Sequence, residues 1–157
     1  MNYWNLKKLK IIHSSDLHLN SKYPERLDAL YSIIETSKKY DAGCLLFAGD
    51  FFDSKEDAEY YRSELRKTFS DLPFKVFLIP GNHDYGAYSG DLFFGDSIEV
   101  ITEKPFKIID FESLRIIAVP YYNQNFNEII FEIKNKRAPD KINILLLHCS
   151  LDIAEIQ

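Results

Sequence analysis

The chain has 157 residues and a mass of 18.4 kDa, close to the ~150 residues of a single domain, which argues against a multidomain enzyme in this span. With 46% hydrophobic and 27% charged residues it has globular composition, which excludes a disordered tail or a fibre. A formal net charge of −5, from 19 basic and 24 acidic residues, excludes the all-round positive field of a non-specific nucleic-acid coat and leaves room only for a local basic strip.

In chain order, residues 10–13 read as a first strand. Pro24 stands where a helix would begin, because its fixed φ suits a first helical turn. Leu27, Leu30, Tyr31 and Ile34 then recur at helical spacing, so this helix is expected to run to about Tyr40. The unbroken apolar run Cys44–Ala48, between Gly43 and Gly49, predicts a strand buried on both faces. A second helix is expected over residues 57–69, with Ala58, Tyr61, Leu65 and Phe69 on one side, and Pro73 closes the connection to a strand over Lys75–Ile79. Residues 81–97 carry Gly86, Gly90 and Gly95 without periodicity and read as a long loop, a length that compact domains mostly reserve for function. Residues 98–101, 106–110 and Leu114–Val119 read as three short strands, antiparallel in part. A third helix is expected from Asn125, with Glu128 completing a capping box and Phe126, Ile129, Ile130 and Ile133 buried. Ile142–Leu147 is the last strand.

Short apolar runs alternating with helical periodicity predict an α/β fold with a largely parallel sheet, and without an internal repeat or linker residues 1–157 read as one domain. Cys44 and Cys149 lie in apolar runs outside any C-x-x-C or zinc spacing, so both are expected as buried free thiols in a reducing compartment. No apolar run approaches the ~18 residues of a membrane span, and residues 1–10 lack a signal-peptide core, so a soluble, cytoplasmic protein is expected.

Four polar clusters fall directly after four predicted strands: Asp16-Leu17-His18, Gly49-Asp50-Phe51-Phe52-Asp53, Gly81-Asn82-His83-Asp84, and His148. In open α/β sheets ligands bind beyond the carboxyl ends of the strands, so these side chains are expected to share one crevice. The first three clusters are each about 30 residues apart, the length of one strand-helix-strand unit. Any one Asp or Asn in such a place would pass for a turn former. Three of the four histidines at strand ends beside oxygen donors do not fit that explanation. His13, outside the clusters, is expected to be a hydrogen-bonded core residue. Carboxylate, imidazole and amide oxygen without thiolate suit a divalent ion such as Mn, Fe or Zn. A carboxylate can bridge two ions ~3.5–4 Å apart, the arrangement that clamps both oxygens of a phosphoryl displacement and turns bound water into the nucleophile. Asp50, on the middle strand of the series and beside Gly49, is the expected bridge.

These motifs, in this order and spacing, resemble the calcineurin-like metallophosphoesterases. The resemblance implies a two-sheet core flanked by helices and two divalent ions, manganese first, with iron or zinc as alternatives. It implies that Asp16 and His18 bind the first ion, that Asp50 bridges, and that Asn82 and His148 bind the second. His83 matches the catalytic histidine that stabilises the phosphate and protonates the leaving oxygen, and Asp53 matches the residue that orients that histidine. Asp84 is open between capping its turn and a functional role. The runs His13-Ser14-Ser15-Asp16-Leu17-His18-Leu19 and Ala48-Gly49-Asp50-Phe51-Phe52-Asp53 look most like SbcD-type DNA-repair nucleases. That likeness implies DNA as substrate and an SbcC-like ATPase as partner, with a small phosphodiester or a catalytically impaired interaction module as alternatives. The protein Ser/Thr phosphatase branch is disfavoured by Ser54 and Asp84. Lys7, Lys8 and Lys10, or Lys134, Lys136 and Arg137, are the candidate phosphate contacts, although each group also reads as a solvated face. The family's downstream Gly-His-x-His motif has no counterpart here. An incomplete domain is therefore expected, with weakened metal binding, little activity alone and self-association.

Overall fold

A computed structural model describes residues 9–90, 93–122 and 126–149. The first sheet holds β1 (Ile11–Ser14), β2 (Cys44–Ala48), β3 (Lys75–Ile79) and β4 (Ile98–Val100), side by side in that order and all parallel. Helices α1 (Glu25–Lys39) and α2 (Lys55–Thr68) make the crossovers between β1, β2 and β3. The second sheet holds β5 (Lys107–Asp110), β6 (Leu114–Val119) and β7 (Ile142–Leu147); β5 and β6 are antiparallel, and α3 (Phe126–Asn135) returns the chain so that β7 lies parallel to β6.

The period-2 alternation of strand side chains sorts the core into layers. Leu45, Phe47, Val76 and Leu78 pack with Leu30, Ile34, Ala58 and Leu65 of the helices. Their chain neighbours Cys44, Leu46, Ala48, Phe77 and Ile79 point the other way, onto Leu114, Ile116, Ala118 and Leu146 of the second sheet. Beyond that sheet, Ile117 and Val119 meet Ile129 and Ile133 of α3. The result is an α/β architecture of two face-packed sheets flanked by helices. β2, central and buried throughout, carries its C-terminal end into the middle of the molecule.

Several expectations shift in detail. The first strand runs one residue later than read. α2 begins at Lys55 because Ser54 caps it, its hydroxyl accepting from the Asp57 N–H at 3.1 Å. The strand at 98–100 is not part of an antiparallel group: it pairs parallel to β3, and the chain then crosses to the second sheet. Three residues are too few to declare a partner. Asn125, the side chain of Phe126, and Lys7 and Lys8 lie outside the described residues. Cys44 is buried as expected, and burial pushes its thiol up to about 11. Cys149 corrects the expectation, being exposed, because it lies past the end of β7, where no described layer covers it. Among the described residues no helix is long and apolar enough to cross a membrane.

Candidate active site

Backbone pairing of β1 with β2 continues past the strand ends. Asp16 N–H donates to the Gly49 carbonyl at 3.1 Å, His18 N–H to that of Asp50 at 2.9 Å, and Leu19 N–H to that of Phe51 at 2.9 Å. The first two motifs are thereby zipped together. The third is tied on by Asp84, which is fully buried and accepts from Gly81 N–H (2.7 Å), Phe51 N–H (2.8 Å), Phe52 N–H (3.2 Å) and the Tyr88 hydroxyl (2.6 Å). Asp84 thus does the turn-holding work that the sequence left open, and burial raises its carboxyl pKa despite these four donors.

Two glycines permit the close approach. A Cβ on Gly49, which has φ +85°, would lie 2.6 Å from the His148 ring, and one on Gly81 would lie 2.2 Å from Asp50 Oδ1. Asp16, His18 and Asp50 themselves have positive φ, at 56°, 46° and 50°, a region that Asp and His enter more readily than most residues.

The side chains converge in an open cleft of about 460 Å³ whose lining includes Asp16, His18, Asp50, Asn82, His83 and His148. Asp50, 3% exposed, uses its two oxygens differently. Oδ1 accepts the His83 N–H at 2.9 Å, while Oδ2 lies 3.8 Å from His18 Nε2 and 3.3 Å from His148 Nε2. Asp16, His18 and Asp50 each offer a donor atom within 4.8 Å of the others. His148 Nδ1 is 2.8 Å from the Ala48 carbonyl, which can only accept, so in the neutral ring this nitrogen carries the proton and Nε2 presents a lone pair. That lone pair faces Asn82 Oδ1 at 3.0 Å as well as Asp50 Oδ2.

A calcineurin-like phosphoesterase family model matches residues 9–155. The chain belongs to that family. The metallophosphoesterase YkuE of Bacillus subtilis, itself uncharacterised, is 32% identical over 82 residues, which span 50% of this chain and 27% of that protein. Similar solved structures include a novel archaeal phosphodiesterase, with a TM-score of 0.49 and 14% identity over 90% of this chain and 85% of that one. They also include the nuclease MPE of Pseudomonas putida, with a TM-score of 0.43 and 21% identity over 73% of this chain and 55% of that one.

As a calcineurin-like phosphoesterase, the chain presents a donor set that fits divalent cations. With His148 neutral and its proton on Nδ1, three acceptors, His148 Nε2, Asn82 Oδ1 and Asp50 Oδ2, come together, an arrangement that a cation relieves. Asp53, expected on His83, has Oδ1 3.1 Å from His18 Nδ1, and His18, Asp53 and His83 each offer a donor atom within 4.8 Å of the others. The His83 ring meets the His18 ring edge-on, with centroids 5.0 Å apart, and its nitrogens hydrogen-bond to no described residue. His13 is exposed at the cleft rim and is not a core histidine, lying on the edge strand of its sheet. Sequence reasoning missed Asn20 and Arg26: Asn20 Nδ2 donates to Asp53 Oδ2 at 2.6 Å, and Arg26 Nη1 donates to the His18 carbonyl at 2.6 Å. Nothing in their spacing marks them.

Proposed function

We propose that this chain hydrolyses phosphodiesters with two divalent ions, manganese first. Asp16, His18 and Asp50 would hold one ion and Asp50, Asn82 and His148 the other, with DNA as the substrate that the SbcD-type motifs favour. The observation that carries the reading is Asp50 Oδ2, a single carboxylate oxygen facing two imidazole nitrogens that belong to the two donor groups. The cleft lining contains Asp16 and Asp50 but no Lys or Arg among the described residues, so the bare protein repels a phosphodiester anion. Divalent ions, when bound, reverse that sign, polarise the phosphoryl oxygens and lower the pKa of water. The chain's own residues supply the rest. Asp50 Oδ1, by accepting the His83 N–H, fixes that backbone beside the shared carboxylate. The His83 ring, exposed and hydrogen-bonded to no described residue, is free to meet the phosphate and give its proton to the leaving oxygen. Asp84 keeps the His83 turn in register with the Asp50 loop.

The test is turnover of bis(p-nitrophenyl) phosphate and of linear duplex DNA by the Mn²⁺-loaded chain, both expected and both lost with chelator. Hydrolysis of the small diester with intact DNA would assign a small-molecule phosphodiesterase. Bound Mn²⁺ with neither substrate cleaved would reject the enzyme and leave an interaction module.

A further inference from the structure

We infer that Asn20 and Asp53 form a positioning arm for His18, one that sets the tautomer of its ring and aims Nε2 into the metal centre; the inference rests on the metal-centre reading above. An ionised carboxylate only accepts hydrogen bonds. With Asp53 Oδ1 3.1 Å from His18 Nδ1, the neutral ring therefore carries its proton on Nδ1 and leaves a lone pair on Nε2, the nitrogen 3.8 Å from Asp50 Oδ2. The other tautomer would place a proton where a ligand lone pair is needed.

Asp53 is itself held in place. Its Oδ2 accepts from Asn20 Nδ2 at 2.6 Å and lies 4.0 Å from Arg26 Nη1, and its N–H donates to the Leu19 carbonyl at 3.1 Å. Asn20 cannot easily present its amide the other way round, because its Oδ1 accepts the Lys22 N–H at 2.8 Å. The Asn20 carbonyl also takes the hydroxyl of Tyr61, a buried residue of α2, at 3.0 Å. A continuous hydrogen-bonded path thus runs from the α2 core through Asn20 and Asp53 to His18. Asp53 hydrogen-bonds His18 directly, while His83 offers an atom within 4.8 Å of both without a hydrogen bond to either. The arm therefore acts on ion binding through His18. Outer carboxylates that fix a ligating histidine typically change metal affinity by 10–100-fold when removed.

The experiment is calorimetric Mn²⁺ titration of the whole chain as wild type, Asp53→Ala, Asn20→Ala and His83→Gln, with imidazole ¹⁵N–¹H correlation spectra of the metal-free proteins. Asp53→Ala is expected to weaken Mn²⁺ binding by about 10–100-fold and to convert His18 from the Nδ1–H tautomer to a mixture. Asn20→Ala should move both readouts less far in the same direction, and it carries the test if Asp53→Ala folds poorly. His83→Gln should change neither. Unaltered Mn²⁺ affinity and an unaltered His18 tautomer in Asp53→Ala and Asn20→Ala would overturn the inference alone. A wild-type chain that takes up no Mn²⁺ would overturn the metal-centre reading and this inference with it.

Discussion

Asp16, His18 and Asp50 share left-handed backbone with Asp41 and Asp71, but for different reasons. Asp41 and Asp71 come just after α1 and α2, where the chain leaves a helix and this conformation is ordinary. The other three follow strands, terminate no helix and line the cleft, and strain of order 1–3 kcal/mol each is a feature that clusters at functional sites. Asn tolerates this backbone as Asp does, so Asp50→Asn removes charge without adding strain. Because Asp50 Oδ2 faces both His18 and His148, Asp50→Asn should lower the bound Mn²⁺ measured by elemental analysis more than His148→Ala does; equal losses would argue against a shared carboxylate. His83 differs, since its hydrogen bond to the donor groups is made by its backbone. His83→Gln should keep its Mn²⁺ and lose about 10²–10⁴-fold in turnover, the range for one general acid or base. Loss of Mn²⁺ from that variant would move His83 among the ligands.

Where β2 meets the cleft, the turn works only if nothing occupies the space behind Gly49. Gly49→Ala combines a positive φ with a Cβ 2.6 Å from the His148 ring, so it should destabilise the chain by about 1–3 kcal/mol and weaken Mn²⁺ binding by displacing His148. Urea unfolding paired with Mn²⁺ titration reads both; a variant matching wild type in each would show that the turn has slack. The second sheet has its own electrostatic tie. Asp110 at the end of β5 meets Arg115 of β6 at 2.8 Å and Lys141, just before β7, at 3.0 Å. Hydrogen bonds from Arg115 and then Lys141 hold its carboxyl down at about 2. A depressed folded pKa contributes stability that is present above the ordinary carboxylate range and is lost as pH falls through about 2. Asp110→Asn should therefore lower the urea midpoint at pH 6 and converge with wild type near pH 2, by a small amount because the group is exposed and screened. A constant gap across that range would remove Asp110 from the account.

Taken as a whole, the molecule places two carboxylates and four histidines around Asn82 in one cleft, on a chain of net charge −5. The two carboxylates have no Lys or Arg beside them in the described lining, so cations that load the cleft add a favourable interaction to the folded state. Ions that bind only the folded state stabilise it by about 2.7 kcal/mol at one hundred times Kd. At about 2–4 °C per kcal/mol for a chain of this size, Mn²⁺ should raise Tm by about 5–11 °C. Differential scanning calorimetry with and without chelator checks this, and an unmoved Tm would mean that the cleft does not load.

Much of this was legible in the order of residues. β2, β3, β6 and β7 matched their apolar runs to the residue, β2 because a strand buried on both faces is apolar throughout, β7 although its outer residues are exposed. Motifs spaced by one strand-helix-strand unit then had to emerge at the same edge of a parallel sheet, so Asp16, His18, Asp50, Asn82, His83 and His148 could be assigned to one cleft before any contact was seen. β4 gave no such signal, because three residues cannot show which sheet they join. Pairings between side chains were equally hidden. Asp53 is separated from His18 and from His83 by similar lengths of chain, and how its carboxylate is shared between them depends on ring positions set by the zipped loops and by Asn20, whose carbonyl takes the Tyr61 hydroxyl of α2. His13 and Cys149 were misjudged for a related reason: both sit in apolar runs, and only the packing of one sheet on the other shows where coverage stops. Periodicity is local and can be read along a chain, whereas hydrogen-bond choice and coverage arise from residues that meet only when the layers close.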